Sequence, residues 1–385
     1  MRRIALFVGT RADLGPLMSV ISALEDHPDV ELHLLVGVAF GADELHAQLH
    51  RSLAVPPDVN RVHELTHRMT TVDDDSVLAH GPVLSAAMPA VIHDVAPEAL
   101  IVLGDRWELL YVVPPAFLAG VRIIHLHGGE VTEGALDERV RHAVTKLADQ
   151  HCVASEDSAR RLRQLGEPAE RIHVTGAPGL DLYSGVAALT DDEFVERFGR
   201  SLARPLALFT YHPPTAENVS QAGPWAYGAL VAALEHCKTV VATYPGMDVG
   251  REAVLEALTH LASDHRVILV EALGPAYPRM LATADVVVGN SSSGVIEAAS
   301  VGVPAVDIGE RQRGRLRGPN VLHAEEGRES VGDVLATALT DSFRKTARAT
   351  SNPYGDGRSA LRIVNVVLAA RDVPRTKVFH NCEVP

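Results

Sequence analysis

The sequence is poor in cysteine, in aromatic residues and in positive charge. Its 385 residues include three cysteines, which are far apart and form no C-x-x-C pair. This spacing excludes a disulfide framework and a cysteine zinc finger, and so few cysteines suit a reducing cytoplasm. Aromatic residues make up 4%, so the core must be aliphatic. With 35 Lys and Arg against 49 Asp and Glu, the net charge of −14 argues against nucleic-acid and anionic-membrane binding, because both need clustered cations.

Long apolar stretches are also lacking, and none approaches the length that we expect of a membrane span. The apolar run Ile4–Val8 is too short for a signal peptide and ends at Gly9, so we interpret it as a buried first strand. With 46% hydrophobic residues the chain is globular, and its length exceeds what one core usually serves, which predicts two domains.

Short apolar runs alternate with helical patterns, as in α/β proteins whose parallel sheets are covered on both faces. The runs are Ile4–Val8, Leu32–Val38, Ala99–Leu103, Arg122–His125, His151–Ala154, Leu206–Thr210, Thr239–Thr243, Val267–Val270, Val286–Gly289 and Ala305–Ile308. The series occurs twice, which predicts two doubly wound Rossmann-like domains facing a cleft. We expect residues 1–177 and 178–357 to form them, joined by a linker that reaches Pro205. A last helix, 358–370, is expected to pack back on the first domain, followed by a loose tail from Val373.

Two strand ends in this pattern are suited to an anion. Gly9 to Gly15 contains Arg11 but matches neither G-x-G-x-x-G nor a P-loop, and by itself it favours an ordinary strand–helix turn. Gly289-Asn290-Ser291-Ser292-Ser293-Gly294 precedes a helical run, and its small polar residues favour a phosphate cradle, although one serine would simply cap the helix. Nearby groups that would assist are Glu297, as a partner for ribose hydroxyls, and the cations Arg311, Arg313 and Arg315.

Acidic residues follow strands of the first half. Asp105 and Glu130 each follow an apolar run, and Asp137 opens a predicted helix in which Arg141 and His142 lie about one turn later. Several carboxylates in one pocket suit proton abstraction and return, provided that burial or crowding tunes their pKa values. As alternatives, Asp105 and Asp137 would each serve as a helix N-cap, whereas Glu130 after two glycines has no obvious packing role.

Histidines offer two further candidates. His125 and His127 share strand spacing, yet no H-E-x-x-H motif or cysteine accompanies them, so we predict no metal site. His212 precedes two prolines that would hold it rigid near a strand end, where it would serve a leaving phosphate or an acid–base step; a surface loop histidine is an equal alternative.

Taken together, the motifs resemble the hydrolysing UDP-N-acetylglucosamine 2-epimerases. The matching stretches, in order along most of the chain, are GTRADLG (9–15), VLGDRWELL (102–110), HLHGGEVTEGALDERVRHAVTK (125–146), TGAPGLD (175–181), TYHPPT (210–215), TYPGMD (243–248) and GNSSSGVIEA with GVPAVDIGERQRGR (289–315). The resemblance implies a two-domain glycosyltransferase-B-like fold that holds the nucleotide mainly in its second domain. It also implies a homodimer or homotetramer and no metal or redox cofactor.

The resemblance further implies a reaction and site residues. The sugar C2 proton is removed, UDP leaves C1, and water adds to the resulting 2-acetamidoglucal to give the free 2-epimer of the sugar, as with N-acetylmannosamine. Asp105, Glu130 and Asp137 correspond to acid–base carboxylates and His212 to a histidine near the diphosphate. The nucleotide-binding positions that the resemblance implies are Arg11, Ser292, Ser293, Gly294, Glu297 and Arg315. From their places near strand ends we also predict substrate-binding roles for Arg106, Arg141, His142, Ser291 and Arg311.

Departures from the family pattern leave the sugar open. Asp13 stands where the family usually has Glu, and Trp107 where it usually has Phe. These positions make a modified 2-acetamido sugar, such as a diacetamido sugar, an alternative to N-acetylglucosamine. A glycosyltransferase of the same fold, a non-hydrolysing 2-epimerase and a non-catalytic nucleotide-sugar-binding protein are the competing functions.

Overall fold

The chain folds into two compact α/β units in the computed structural model, which describes residues 1–38, 41–53, 56–69, 74–132, 136–214, 216–246 and 249–381. Unit 1 comprises Met1–Glu130, Ala135–Asp181 and Tyr354–Pro385, and unit 2 comprises Val131–Gly134 and Leu182–Pro353. The boundary expected from the sequence lies between residues 177 and 178, and the division falls between 181 and 182.

Unit 1 is built on a seven-stranded parallel sheet in the order β3-β2-β1-β4-β5-β6-β7. Its strands are β1 (Arg2–Val8), β2 (Val30–Val36), β3 (Val62–Glu64), β4 (Ala99–Leu103), β5 (Arg122–Leu126), β6 (Gln150–Val153) and β7 (Ile172–Val174). Its helices are α1 (Arg11–Glu25), α2 (Ala42–Ser52), α3 (Asp74–Val95), α4 (Leu109–Leu118), α5 (Leu136–Leu147), α6 (Glu156–Gln164) and α14 (Ser359–Ala369).

The first strand shows why this sheet is covered on both faces. Ile4, Leu6 and Val8 belong to a core shared with α1 and α14, whereas Ala5 and Phe7 belong to a second core on the opposite face, shared with α3 and α4. Successive strand side chains point to opposite faces, so a strand that is apolar at every position must be buried twice. The last helix therefore closes one face of unit 1, where it packs against α1.

Unit 2 repeats the architecture with a six-stranded parallel sheet in the order β10-β9-β8-β11-β12-β13. Its strands are β8 (Leu206–Thr210), β9 (Thr239–Thr243), β10 (Val267–Val270), β11 (Val286–Gly289), β12 (Ala305–Ile308) and β13 (Val321–Ala324). Its helices are α7 (Asp191–Phe198), α8 (Ala222–His236), α9 (Arg251–Leu261), α10 (Tyr277–Thr283), α11 (Ser292–Ile296), α12 (Arg328–Ala338) and α13 (Asp341–Ala349).

The predicted fold class is confirmed, and every strand expected from an apolar run is present within two residues at either end. The sequence did not reveal β3, β7 and β13, which are three to four residues long and lie at sheet edges. Short edge strands are buried on fewer sides, so their sequences carry a weaker apolar signal.

Two expectations about the connecting segments are wrong. The predicted linker contains α7, which begins with a capping box at Thr190 and buries Phe194 completely in the core of unit 2. The tail expected to be loose contacts unit 1 up to residue 380. The Nζ of Lys377 donates to the carbonyl oxygens of Lys146 and Ala148 at 2.8 and 2.7 Å, at the end of α5. Positive charge is favourable at a helix C-terminus, so a polar tail is held here by electrostatics.

The expectation that no apolar stretch has membrane length also needs correction. By length and composition alone, residues Asp75–Val95 of α3 are long and apolar enough to span a membrane. This is weak evidence, because core helices of soluble proteins meet the same criterion. Buried residues Leu84 and Met88 pack this helix into the second core of unit 1.

Candidate active site

Each sheet reverses its strand order at its first strand, and such points are where α/β proteins bind ligands. In unit 1 the reversal lies at β1, which pairs with β2 on one side and β4 on the other. In unit 2 it lies at β8, between β9 and β11. The residues that follow β1, β4 and β5 in unit 1, and β8, β11 and β12 in unit 2, therefore lie at the edge of each sheet where a ligand is expected.

A pair of carboxylates lies at the ends of β1 and β4. Asp13 Oδ2 accepts from the backbone N–H of Thr10 at 2.7 Å, which closes a capping box at the start of α1. Glu108 is 1% exposed, and its Oε1 accepts from Arg106 Nε at 2.7 Å. A Cβ at Gly9 would lie 2.6 Å from this Glu108 oxygen and 3.3 Å from Asp13 Oδ2, so the absent side chain leaves room for both carboxylates.

The surroundings change the acidity of Asp13. Burial, and then the negative charge of Glu108, raise its pKa to about 6, against the lowering effect of Arg106. The pKa of Arg106 is raised because the charges of Glu108, Asp13 and Asp137 outweigh the effect of its burial. Asp137 thus acts electrostatically on the predicted binding residue Arg106.

A buried arginine organises the next group of acids. Arg141 on α5 is 1% exposed and forms an ion pair with Asp105, which follows β4. Its Nη1 donates to Glu138 Oε2 at 2.6 Å and to the backbone carbonyl of Glu130 at 2.7 Å. The structure therefore brings together Asp105, Glu130 and Arg141, three of the residues predicted from sequence. His142, also predicted, lies at the edge of this group, with its Nε2 3.4 Å from Glu138 Oε1.

The turn after β5 places a histidine on Glu130. His127 Nδ1 lies 2.5 Å from Glu130 Oε1, and both side chains are mostly buried. His127 has φ of +61°, in the left-handed region that non-glycine residues seldom occupy. Gly129, with φ of +74°, follows it, and a Cβ there would lie 2.4 Å from the carbonyl oxygen of Ser158. This tight reversal lets the Glu130 carboxylate return to the His127 ring.

The neighbouring His125 has a structural role. It is fully buried, its Nε2 lies 2.7 Å from the carbonyl oxygen of Gly104, and desolvation lowers its pKa to about 3. His127 lies beyond the end of β5 and faces Glu130 instead, so the two histidines do not share a strand face as their spacing predicted.

In unit 2, the serine-rich turn follows β11 as predicted. Gly289 has φ of +137°, and a Cβ there would lie 1.9 Å from the carbonyl oxygen of Thr210, so only glycine lets these strand ends approach. Ser291 is the N-cap of α11, and its Oγ lies 3.4 Å from the backbone nitrogen of Ser293. Ser293 Oγ in turn accepts from the hydroxyl of Tyr277 at 2.7 Å.

The backbone of His212 is held through both its N–H and its carbonyl oxygen. Asn290 accepts from the His212 N–H at 2.7 Å and donates to its carbonyl oxygen at 2.8 Å. The ring Nδ1 accepts from the backbone N–H of Gly246 at 3.0 Å. Because Nδ1 is an acceptor, Nε2 carries the proton of the neutral ring. The structure therefore joins His212 to the serine-rich turn through Asn290.

The remaining predicted residues of unit 2 border the same turn. Gln312, 2% exposed, donates to the Asn290 carbonyl oxygen at 2.8 Å and anchors the loop that carries Arg311 and Arg315. Arg315 is partly buried, and among the described residues its Nε has no hydrogen-bond partner. Arg313 is exposed and pairs with Glu310 at 2.9 Å, as expected of a solvated loop cation.

Further predicted positions lie around α11. Ser292 is its first residue, Gly294 is buried within it, and Glu297 is its C-cap. Burial, followed by the negative charge of Glu297, raises the pKa of Tyr183 above its usual range. Arg11 begins α1, and its side chain lies outside the described residues.

Sequence reasoning gave no role to three polar residues of these clusters, Glu108, Glu138 and Gln312. It named Asp13 only as a departure from the family pattern, His127 only as a rejected metal ligand and Asn290 only within the serine-rich turn. A usable signal existed for Asp13 and Glu108, since each is an acid within a motif that follows a strand. Gln312 had no such local signal, because the residue that it binds, Asn290, is 22 residues away in sequence.

One exposed group has the composition of a metal site. Ligand atoms of Glu310, His323 and Glu325 lie within 4.8 Å of one another, but exposed acidic groups commonly do so without an ion.

Comparison with known proteins identifies the family. Residues 22–368 match the model of the UDP-N-acetylglucosamine 2-epimerase family. The chain is 32% identical over 99% of both chains to a Legionella pneumophila protein named UDP-N,N'-diacetylbacillosamine 2-epimerase (hydrolyzing). It is 29% identical, over 88% of both, to a UDP-N-acetylglucosamine 2-epimerase of Neisseria meningitidis.

Solved structures agree on the fold. A structure of MnaA from S. aureus with UDP has a TM-score of 0.77 at 20% identity and covers 99% of this chain and 100% of its own. The N. meningitidis 2-epimerase bound to UDP-GlcNAc has a TM-score of 0.71 at 18% identity, covering 96% and 100%. Because the family model matches residues 22–368 and a relative of 32% identity spans 99% of the chain, this chain belongs to the UDP-N-acetylglucosamine 2-epimerase family.

Proposed function

We propose that this protein is a hydrolysing 2-epimerase that converts a UDP-2-acetamido sugar to UDP and the free 2-epimer. The observation that carries the proposal is the cluster in unit 1 in which buried Arg141 binds both Asp105 and the Glu130 carbonyl oxygen, while the Glu130 carboxylate contacts the His127 ring. Two proton-transfer groups are needed to invert C2, one to remove a proton and one to return it on the opposite face. A cluster of acids and a histidine supplies them.

The nucleotide is held by unit 2 in this proposal. The polar groups around Ser291–Gly294 suit a diphosphate, and the cations of the following loop, Arg311 and Arg315, suit its charge. His212, whose Nε2 carries the proton of the neutral ring, serves the leaving phosphate as a hydrogen-bond donor. Stabilising the leaving diphosphate matters because the C2 proton is only weakly acidic, so elimination needs both a base and a good leaving group.

A diacetamido sugar is the substrate that we place first, with N-acetylglucosamine second. The support is the 32% identity to the Legionella protein, and a Campylobacter jejuni protein named GDP/UDP-N,N'-diacetylbacillosamine 2-epimerase (hydrolyzing) is 28% identical over 84% of both chains. Asp13, in the first turn of α1 after β1, and Trp107, in the segment between β4 and α4, depart from the usual family residues.

One experiment tests the reaction type. The protein is incubated in deuterium oxide with the UDP-linked sugars in turn, and NMR follows the products. A hydrolysing epimerase gives UDP and a free manno-type sugar with deuterium at C2. A product that stays attached to UDP with deuterium at C2 identifies a non-hydrolysing epimerase. UDP release with the original C2 hydrogen retained identifies a transferase or a simple hydrolase and overturns the proposal.

We also propose that the protein is a homo-oligomer formed through α3 and α4. These helices pack against each other, and several of their apolar side chains face solvent. Those with exposed fractions above two fifths are Leu78 (65%), Val83 (49%), Leu110 (42%), Phe117 (46%) and Leu118 (82%). A two-fold interface joins the same patch of both copies, so an apolar face that is compatible with itself suits a second copy of this chain.

A further inference from the structure

We propose that His127 is a catalytic residue, which takes the C2 proton of the sugar, and that Glu130 acts through it as a positioning residue. This assignment rests on the proposed 2-epimerase function and names the group that the motif resemblance left open. It also differs from the role that the resemblance implies for Glu130, since the carboxylate is engaged by a histidine of this chain.

The bond between the two side chains determines which ring nitrogen is basic. An ionised carboxylate only accepts hydrogen bonds, so the 2.5 Å contact places the ring proton on Nδ1. Nε2 then has a free lone pair. Within the part of the chain that the structure describes, Nε2 has no hydrogen-bond partner, and the side chain is 16% exposed. This nitrogen is therefore available to a bound molecule.

The backbone is held in an uncommon conformation to present this ring. Left-handed φ at a non-glycine residue costs energy and is found preferentially where function requires it. The His127 N–H donates to the Cys152 carbonyl oxygen on β6 at 3.0 Å. Two arginines hold the turn that follows. Arg161 donates to the Gly129 carbonyl oxygen at 3.0 Å, and Arg141 donates to the Glu130 carbonyl oxygen at 2.7 Å.

The other acid of the cluster is engaged differently. Asp105 is bound to the guanidinium of Arg141, which fixes its position but occupies its Oδ2. The same arginine binds the Glu130 carbonyl oxygen, so Asp105 and the His127–Glu130 pair are held in a common frame. A frame with two different proton-transfer groups suits a reaction that removes a proton from one face of a carbon and returns one to the other.

The proposed step balances in atoms and electrons. His127 Nε2 accepts the C2 proton, the C2–H electron pair forms the C1–C2 double bond, and the C1–O pair leaves with UDP. Water then supplies hydroxide to C1 while a carboxyl group on the other face protonates C2. The proton left over from water restores that carboxyl group, and the imidazolium returns its own proton to solvent. The net change is substrate plus water giving free sugar plus UDP.

The test uses substitutions that keep the turn intact. His127→Asn is suitable because asparagine tolerates left-handed φ and its amide can still donate to Glu130. We expect this variant to bind UDP as the unmodified protein does and to lose about 100- to 10,000-fold in turnover, the usual contribution of a general base. Deuterium incorporation at C2 is expected to fall by the same factor.

Two further variants separate a catalytic role from a structural one. His127→Gly fits the same backbone, and added imidazole is expected to restore part of its turnover, which a purely structural loss would not allow. Glu130→Gln is expected to lose less turnover than His127→Asn. The double variant His127→Asn with Glu130→Gln should be no slower than His127→Asn alone, since Glu130 acts through the histidine.

Outcomes that overturn the assignment are distinct from those that overturn the proposed function. Near-normal turnover in His127→Asn, or independent and multiplicative losses in the double variant, would remove His127 from the reaction while leaving the protein a 2-epimerase. Absence of C2 deuteration by the unmodified protein with every UDP-2-acetamido sugar would overturn the 2-epimerase function, and this assignment with it.

Discussion

Asp105 and Arg141, 36 residues apart in sequence, form an ion pair in which the guanidinium is almost completely buried. The same arginine binds Glu138 and the Glu130 carbonyl oxygen. It therefore links the segments that follow β4 and β5 with helix α5. A buried guanidinium with three acceptors is stable only as a complete set, because removing one charge leaves the others buried and uncompensated.

Replacement of Arg141 should therefore destabilise unit 1. Arg141→Met keeps most of the volume but leaves Asp105 and Glu138 without their cation, and we expect a loss of about 3 to 5 kcal/mol in unfolding free energy. Arg139→Met is the matched control, since Arg139 is exposed on the same helix. Urea unfolding followed by circular dichroism measures both. Equal midpoints for the two variants would show that the buried pair does not stabilise the unit.

Asp13 should make stability depend on pH. Its pKa in the folded protein, about 6, lies above the ordinary value of 3.8, so between these values the folded state binds more protons than the unfolded state. Stability contributed by the protonated form is therefore lost as pH rises through this window. Asparagine at this position cannot ionise. The unfolding free energy of Asp13→Asn, relative to that of the unmodified protein, should therefore be about 2 kcal/mol higher at pH 7.5 than at pH 4.5.

Urea unfolding at the two pH values measures this difference. Asp26→Asn, an exposed site just after the other end of α1, is the control for loss of an aspartate. A stability difference for Asp13→Asn that is the same at both pH values would contradict the expected burial of its charge.

Arg315 should contribute to UDP binding. Its Nε has no partner among the described residues although it is buried, and charged hydrogen bonds contribute about 1.5 to 3 kcal/mol. We expect Arg315→Met to weaken UDP binding by about 10- to 100-fold in calorimetric titration. Arg313→Met is the control, because Arg313 lies in the same loop but is exposed and paired with Glu310. Equal affinities for both variants would place the diphosphate elsewhere.

The apolar face of α3 and α4 should govern oligomeric state. Val83→Glu with Leu118→Glu puts charges of one sign into the apolar interface from both copies, which should yield monomers in light scattering coupled to gel filtration. Leu361→Glu on α14 is the control, because Leu361 is likewise exposed, at 67%, but lies outside this face. A monomeric unmodified protein, or a double variant of unchanged mass, would rule out this interface.

Sequence reasoning succeeded where a signal is local and failed where it depends on distant partners. Val286–Gly289 was predicted to the residue because a strand buried on both faces is apolar throughout. The edge strand Val62–Glu64 was missed because it is short and half covered. α7 was missed because most of its residues are polar, and Phe194 is its one fully buried side chain, with Phe198 packed beside it.

The candidate site divides in the same way. Asp105, Glu130 and His212 were predicted from sequence because they follow apolar runs, and polar residues at strand ends indicate a ligand site in α/β folds. The contacts that these residues make with their partners were not predicted. Arg141 reaches Asp105 from a helix that starts 31 residues later, and the His127–Glu130 contact depends on a left-handed turn that no local propensity predicts.

By itself the sequence determined the two parallel-sheet units, the strand ends where polar residues gather and the family, since all of these follow from apolar periodicity and motif order. Only the tertiary structure decided which acids pair with Arg141, that Asp13 is difficult to ionise and that Glu130 contacts a histidine. The reason is physical: charge pairing and desolvation depend on distances of a few ångströms between segments that are far apart in the chain.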